Sequence, residues 1–205
     1  MYQFTSPEKL DTFVPEHFDG FDCGCPQVNK YVLNAERMQK EIESRNINFY
    51  VIYEQRDLTK VVGFFSLKNS NIENKEFTDS QKKRDIQRLP HAGAVELVYL
   101  GVSKEYAKIG LGSALLSKAE EIYANMDLPG MIFYLISSPS ANDFYEKNEY
   151  IKMKPTTTMV LNEDGEKVEI MLNRYFKPLK QIMHDLAVVA QSSPAVESDM
   201  ATQVV

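Results

Sequence analysis

The chain has 205 residues, a net charge of −6 and 43% hydrophobic residues. This length and composition fit one globular domain with extensions and supply enough apolar residues for a core. The acidic balance disfavours broad nucleic-acid binding, which needs lysine and arginine to neutralise phosphates. No stretch approaches the roughly 20 apolar residues of a membrane span, and the N-terminus lacks the basic and apolar regions of a signal peptide. We therefore expect a cytoplasmic protein.

The two cysteines, Cys23 and Cys25, are separated by a single glycine. A disulfide across one residue would be badly strained, and two thiols make an incomplete zinc site. We therefore expect two reduced thiols and no bound metal.

The first third of the chain predicts helices followed by a hairpin. Ser6 and Pro7 favour a short helix start, because serine caps helices and proline fits the first helical position. Apolar residues spaced by three or four predict an amphipathic helix over residues 27–46. Residues 49–53 and 61–67 are typical of two antiparallel strands joined by a turn.

Residues 68–90 are polar and include a basic run. They predict a long exposed loop, with a short helix over residues 81–87 as an alternative. Loops of that length are usually functional or mobile, and a solvated insertion is the simpler interpretation.

The centre of the chain carries the strongest pattern. Residues 94–102 predict a strand, and a glycine-containing turn leads from it into an amphipathic helix over residues 110–126. Residues 131–136 are continuously apolar, as expected for a strand covered on both faces. Strand, helix and strand in this order form a βαβ unit, so the two strands should be parallel neighbours.

The last third predicts a short helix over residues 140–147, capped by Ser140, and then three short strands. The last two strands form a hairpin around a turn at residues 162–165. The predicted organisation is a domain over residues 1–176, an amphipathic helix within 177–190 that lies outside the core, and a disordered tail over 191–205.

The turn that contains Gly110, Leu111 and Gly112 is suited to phosphate binding. The first amides of a helix have no internal partner and the helix dipole adds positive charge there, while glycines let a phosphate approach closely. The spacing alone is also common at ordinary helix starts. It matches neither the dinucleotide fingerprint nor the P-loop.

The surroundings of this turn resemble the GCN5-related acetyltransferase (GNAT) family. Residues 102–116 are similar to its acetyl-CoA-binding motif, in which Gln/Arg-x-x-Gly-x-Gly/Ala opens a helix, although Ala107 stands where Gln or Arg is usual. Residues 141–150 are similar to the family's Ala-x-x-Phe-Tyr-Glu-Lys-x-Gly-Phe, with Glu149 in place of the glycine. The resemblance covers about residues 49–172.

The resemblance implies an α/β (α+β) fold with a mixed, mostly antiparallel sheet, a parallel βαβ unit that binds acetyl-CoA, and splayed central strands. It implies transfer of an acetyl group from acetyl-CoA to a primary amine of a small molecule, peptide or protein. It assigns cofactor contacts to the backbone of seven residues: Leu100, Val102, Ile109, Gly110, Leu111, Gly112 and Ser113.

Two side chains are the candidates for proton transfer. Tyr145 occupies the position of the family's general acid, and a tyrosine is a sensible proton donor to a departing thiolate. Glu96 lies on the central strand, where relatives carry a catalytic carboxylate, and an acid between apolar neighbours needs a reason to be there. His91 and a water molecule are the alternatives for the base.

Two other functions remain open. Residues 21–24, 29–32 and 61–67 resemble the family branch that contains aminoacyl-tRNA-acetylating toxins. Those proteins are usually basic and carry Arg-Leu-Ala-Val-Asp where this chain has Tyr-Leu-Gly-Val-Ser at residues 99–103, so this interpretation ranks second, with tRNA as the partner. The third is a catalytically weak CoA-binding module on the same fold. The C-terminal helix is a possible homodimer contact.

Overall fold

The computed structural model describes residues 3–82, 91–126, 132–161 and 167–192. Eight strands lie within these residues: β1 (Glu8–Lys9), β2 (Asn48–Glu54), β3 (Asp57–Glu73), β4 (His91–Val102), β5 (Ile132–Ser137), β6 (Ile151–Lys152), β7 (Thr156–Leu161) and β8 (Lys167–Pro178). The same residues contain six α-helices: α1 (Pro26–Val32), α2 (Ala35–Glu43), α3 (Asp79–Gln81), α4 (Leu111–Ala124), α5 (Asn142–Lys147) and α6 (Leu179–Ser192).

The strands form one open mixed sheet in the order β1-β2-β3-β4-β5-β8-β6, and β7 pairs with the first half of β8. The two central strands β4 and β5 run parallel. The pairs on either side of them are antiparallel. The predicted mixed sheet with a parallel βαβ unit is therefore confirmed.

The two faces of the sheet carry separate apolar clusters, because neighbouring residues of a strand point to opposite sides. Phe65 of β3 packs in one cluster with Leu115 of α4 and Ile182 of α6. Its neighbour Phe64 packs in another cluster, with residues of α1 and α2 such as Met38. Helices therefore cover both faces of the central strands, which explains why these strands are so apolar.

The helix predicted over residues 27–46 is wrong as a single element, because the chain breaks into α1 and α2. Leu33 ends α1, and the side chain of Asn34 accepts a hydrogen bond from the Arg37 amide at 3.0 Å. Asparagine is among the best helix N-caps, so it starts a new helix even though the apolar spacing continues through it.

The region predicted as a loop over residues 68–90 begins as strand. β3 continues to Glu73 and pairs with β4 up to the register Glu73↔His91. It is followed by a 3-10 turn at Asn74–Glu76 and by the single turn α3. Backbone pairing with β4 outweighs the polar side chains, which lie on an exposed part of the sheet. Most of the alternative helix over 81–87 falls on residues 83–90, outside the described part of the chain.

Two smaller predictions near helix starts are also wrong. Residues after Ser6 and Pro7 form the edge strand β1, in which Glu8 and Lys9 pair with β2. Ser140 does not cap a helix: it lies within a 3-10 turn, and α5 begins at Asn142 with no side-chain cap.

The C-terminal helix α6 belongs to the core on one side, contrary to the expectation that it lies outside. Its Ile182 is fully buried against the cluster that contains α4. Met183, Val188 and Val189 remain exposed. The turn predicted at 162–165 and most of the tail over 191–205 lie outside the described residues.

Glu149 adopts a left-handed backbone conformation with φ of 65°. It stands where the related motif has glycine, and an L-residue in this region costs about 1–2 kcal/mol that glycine avoids. We therefore expect Glu149→Gly to raise the free energy of unfolding by about 1 kcal/mol, measured by urea denaturation.

The matched control for that prediction is Lys147→Gly, which places the same residue in the last turn of α5. There the backbone is helical, so glycine should destabilise the fold by up to about 1 kcal/mol. Equal effects of the two substitutions would contradict the strain at Glu149.

No helix in the described ranges is long and apolar enough to cross a membrane. Cys23 and Cys25 are both free thiols, in agreement with their spacing. Among the described residues, no cluster of His, Cys, Asp or Glu could hold a metal ion.

Candidate active site

The centre of the sheet opens where β4 and β5 part. Their parallel pairing runs from Ala94↔Ile132 to Leu97↔Leu135. Beyond that point β5 keeps only its pairing with β8, whereas β4 continues to Val102 along β3. The two strands therefore splay and leave one edge of β4 without its β5 neighbour.

A β-bulge accompanies this divergence. Ser66 of β3 pairs with Tyr99 and Leu67 pairs with Leu97, so Val98 is the extra residue on β4. A bulge bends its strand and increases the local twist, which turns the end of β4 away from β5. Gly101 lies where two elements come close together: a Cβ there would lie 2.7 Å from the Phe64 ring.

The backbone of Leu100 and Val102 faces the opening. The Ser103 amide donates to the Val62 carbonyl at 2.9 Å, so this amide points at β3. Antiparallel strands alternate between residues bonded to that neighbour and residues that point the other way. Leu100 and Val102 are in the second class, and their amides and carbonyls lie along the edge that β5 has left.

The N-terminus of α4 carries amides that are not used within the helix. Gly110 precedes the helix with φ of 88°, and no side chain caps it. The first intrahelical bond runs from the Ala114 amide to the Gly110 carbonyl, at 3.1 Å. The amides of Leu111, Gly112 and Ser113 come before it, and they open a helix of 14 residues. This is the arrangement that favours anions at a helix start.

The turn before α4 is shaped by a second left-handed residue, Lys108, with φ of 63°. Successive left- and right-handed residues direct their amides towards a common concavity, which suits an anion. Ile109 between them is 51% exposed. A Cβ at Gly112 would lie 3.5 Å from the Phe144 ring, so the turn is next to α5.

Tyr145 follows Phe144 on α5 and is 8% exposed. Its ring meets those of Phe144 and Tyr150 edge-on, with centroids 5.0 and 5.8 Å apart. Burial raises the pKa of the Tyr145 hydroxyl, which keeps it protonated at neutral pH. A protonated phenol held by aromatic packing suits a proton donor.

Glu96 lies on β4 one residue before the last β4–β5 pair, at the point where the strands begin to diverge. It is half-buried, and its carboxylate accepts a hydrogen bond from the Tyr134 hydroxyl at 2.9 Å. Tyr134 in turn lies 2.8 Å from the Ser70 hydroxyl. His91 is exposed and five residues earlier on the same extended strand, roughly 17 Å from Glu96.

Tyr134 and Ser70 were not among the residues that the sequence singled out. The available signal was the tyrosine in the otherwise apolar strand 131–136, because a buried tyrosine hydroxyl needs a partner. Ser70 gave no signal, since it sits in a polar stretch and reaches Tyr134 only across β4.

The N-terminal helices form a wall beside the opening. Tyr99, next to the bulge, stacks on Tyr31 of α1 with ring centroids 3.8 Å apart. Lys104, just after β4, binds the Asp22 carboxylate at 2.7 Å. This bond and the Gly24 amide hold the pKa of Asp22 at about 2. The loop that carries Cys23 is thereby fixed at the end of β4.

Solved structures with the same architecture include the following three. A structure described as a bacterial toxin is 21% identical, with a TM-score of 0.69, and the alignment covers 91% of this chain and 97% of that one. AtaT complexed with acetyl-methionyl-tRNAfMet is 17% identical, with a TM-score of 0.70 and coverage of 90% and 99%. A tyrosine-to-phenylalanine mutant of KacT is 20% identical, with a TM-score of 0.69 and coverage of 89% and 98%.

At these identities the similarity shows the fold. No protein of curated function matches the chain. A family model described as an acetyltransferase (GNAT) domain matches residues 10–160, which include both sequence motifs, the splayed strands and the N-terminus of α4. The chain belongs to the GNAT acetyltransferase family.

Proposed function

We propose that this acetyltransferase transfers an acetyl group from acetyl-CoA to the primary amine of a small molecule, peptide or protein. The observation that carries the proposal is the continuous track from the open edge of β4 to the uncapped start of α4. Leu100 and Val102 offer backbone groups along the track. The α4 amides offer an anion site at its end.

Acetyl-CoA fits such a track because its pantetheine arm contains amides and its pyrophosphate is anionic. Pantetheine would pair with β4 at Leu100 and Val102 as an added strand does. The pyrophosphate would accept from the amides of the turn and of the first turn of α4, at Ile109, Gly110, Leu111, Gly112 and Ser113. AtaT bound to the C-terminus of the antitoxin AtaR has been solved with acetyl-CoA, which supports this donor for the shared fold.

Acetyl transfer requires three contributions from the protein. Glu96 takes a proton from the attacking ammonium group, so that a neutral amine reaches the thioester carbon. A backbone amide near Leu100–Val102 donates to the carbonyl oxygen as negative charge develops on it. Tyr145 gives its proton to the departing thiolate of CoA, and the acetyl group remains on the nitrogen. The nitrogen loses its second proton as the amide forms, and this proton returns to the Tyr145 oxygen through water.

The test is thiol release from acetyl-CoA over a panel of amines, which includes polyamines, amino acids, N-terminal peptides and lysine peptides. We expect at least one amine to give turnover above the hydrolytic background, with mass spectrometry showing the acetylated amine. Tight CoA binding without turnover on any amine or on aminoacyl-tRNA would instead support a catalytically weak CoA-binding module.

Ala107 offers a separate test of where the pyrophosphate binds. It is exposed, directly precedes Lys108, and stands where the family motif has Gln or Arg. Ala107→Arg should bind CoA about tenfold more tightly by calorimetry, because a charge-assisted hydrogen bond to phosphate is added. Ala107→Leu adds volume without charge and serves as the control; equal affinities of the two variants would argue against this binding mode.

A second candidate is acetylation of an aminoacyl-tRNA, favoured by the similarity to AtaT, which was solved with acetyl-methionyl-tRNAfMet. The net charge of −6 opposes it, because tRNA binding draws on basic side chains. This candidate predicts that aminoacyl-tRNA is acetylated while free amines are not, and that expression arrests growth. Harmless overexpression would count against it.

A further inference from the structure

A row of three polar side chains crosses the centre of the sheet on the face opposite α4. Ser70 is on β3, Glu96 on β4 and Tyr134 on β5. The Tyr134 hydroxyl is 2.8 Å from the Ser70 hydroxyl and 2.9 Å from a Glu96 carboxylate oxygen. The register partner of Ser70 on β4 is Ala94. The small methyl group of Ala94 leaves room for the Tyr134 ring to reach across to β3.

The direction of these hydrogen bonds follows from the groups themselves. An ionised carboxylate can only accept, so Tyr134 donates its one proton to Glu96. The remaining lone pairs of Tyr134 then accept from Ser70. Burial raises the pKa of the Tyr134 hydroxyl, so the proton stays on this oxygen in the resting state.

The row connects a shielded position to the surface. Tyr134 is 8% exposed and packs with the apolar side chains of Ile132 and Phe176. Ser70 is only half-buried, and its neighbour Asn69 is exposed. Glu96 lies where β4 and β5 diverge. A proton on its carboxylate can therefore reach solvent through the hydroxyl groups of Tyr134 and Ser70, without returning to the acceptor amine.

We propose that Tyr134 and Ser70 are positioning residues that act through Glu96: they orient its carboxylate towards the acceptor amine and carry its proton away after each turnover. This inference rests on the proposed function, in which Glu96 is the base. The ligand class that the site serves is an amine that arrives protonated, because only an ammonium group leaves a proton to be exported.

The proton step balances along the row. The ammonium N–H proton passes to the Glu96 carboxylate. Glu96 then donates it to the Tyr134 oxygen while the Tyr134 proton moves to Ser70 and the Ser70 proton moves to water. This transfer requires the two hydroxyl groups to rotate first, so that their protons point away from Glu96. After the transfer each hydroxyl holds one proton and again points in the resting direction.

The experiment compares Tyr134→Phe, Ser70→Ala and Ser70→Thr with the wild type, using the best amine of the panel under saturating acetyl-CoA. We expect Tyr134→Phe to lower kcat about tenfold and Ser70→Ala about threefold, with the KM for acetyl-CoA unchanged. Ser70→Thr keeps the hydroxyl and should retain wild-type kcat. The control Tyr50→Phe removes a half-buried tyrosine hydroxyl on β2, outside this row, and should leave kcat unchanged.

A double-mutant cycle separates this role from simple stabilisation. Glu96→Gln should lower kcat by about 100-fold or more, and adding Tyr134→Phe to it should cost nothing further. Additive losses, or a Ser70→Thr variant as slow as Ser70→Ala, would overturn the inference.

The failure of the inference differs from failure of the proposed function. If Glu96→Gln is slow while Tyr134→Phe is normal, only the row is refuted. If the wild type turns over no amine, the proposed function itself fails. If Tyr134→Phe unfolds, the comparison of kcat between Ser70→Ala and Ser70→Thr still tests whether the row acts through Glu96.

Discussion

Replacing Tyr145 by phenylalanine should lower kcat for acetyl transfer by about 100-fold or more while the protein keeps its fold. General acid catalysis contributes about 10²–10⁴ in rate, and Tyr145 is the proposed donor to the CoA thiolate. Phenylalanine preserves the ring that packs on Phe144 and Tyr150. The KM for acetyl-CoA should change little, because the hydroxyl acts on the leaving group rather than on the bound arm.

The pH dependence makes this prediction sharper. The raised pKa of Tyr145 keeps it protonated across the neutral range, so the wild type should not lose its acid there. A thiol has an ordinary pKa of about 8.5, so above that pH the thiolate leaves without being protonated. The ratio of wild-type kcat to Tyr145→Phe kcat should therefore decrease as the pH rises from 7 to 9.5, in steady-state assays at saturating acetyl-CoA.

The matched control is Tyr175→Phe, which removes a hydroxyl from the same aromatic cluster. Tyr175 lies 6.1 Å from Tyr145 between ring centroids, and its hydroxyl donates to Glu146 at 2.8 Å. The loss of this hydroxyl should leave kcat within about twofold of the wild type, because its hydrogen bond is to Glu146 and not to the reacting groups. Equal kcat values for the wild type and Tyr145→Phe would refute the assignment of the general acid.

The largest expected effect on stability is at Lys177, the centre of a buried ion cluster. Its ammonium group lies 3.4 Å from Glu120 of α4 and 2.9 Å from Asp185 of α6, and its side chain is only 6% exposed. Glu120 also accepts from the Tyr150 hydroxyl at 2.8 Å. Lys177→Met should lower the free energy of unfolding by about 3 kcal/mol, because it leaves a buried carboxylate without its cation.

The loss of unfolding free energy in Lys177→Met should be smaller at low pH than at neutral pH. Burial raises the pKa of Glu120 despite Lys177 and Tyr150, so the folded state takes up a proton more readily than the unfolded chain. The stability contributed by this carboxyl group therefore falls as the pH rises through the folded pKa. Without Lys177 that pKa rises further, so Lys177→Met should cost less at pH 5 than at pH 7.5.

Urea denaturation at both pH values measures the effect. Adding Glu120→Gln to Lys177→Met should recover much of the loss, since no buried charge remains. Lys118→Met is the control, because the Lys118–Glu121 pair is about half exposed and should contribute less than 1 kcal/mol. A loss at Lys177 no larger than that at Lys118 would contradict the buried-cluster interpretation.

The sequence predicted the centre of this fold well because several local signals agreed there. Strand, glycine turn and helix in residues 94–126, followed by an apolar strand, had a single consistent interpretation, and the parallel β4–β5 pair confirms it. The N-terminal helices were harder to predict. The apolar spacing over residues 27–46 passed through Asn34, and only its side-chain cap reveals that two helices meet there.

The candidate site divides in the same way. Motif residues such as Gly110, Gly112 and Tyr145 could be proposed from the sequence, because the roles proposed for them depend on local geometry: a helix start, and a tyrosine at a fixed place on a helix. Tyr134 and Ser70 were not identifiable, since their link to Glu96 joins three strands far apart in sequence. Glu149 was visible as a departure from the motif, but its left-handed backbone was not.

The sequence by itself therefore determined the βαβ unit, the glycine-containing turn that opens α4 and the family, because these follow from short-range patterns of apolar spacing, glycine and helix ends. Tertiary structure alone decided where β4 leaves β5, which backbone groups face the opening, and which partners Glu96 and Lys177 meet. The bulge at Val98 is the physical reason for the first of these: a register shift between two strands is a property of their pairing, and neither strand encodes it alone.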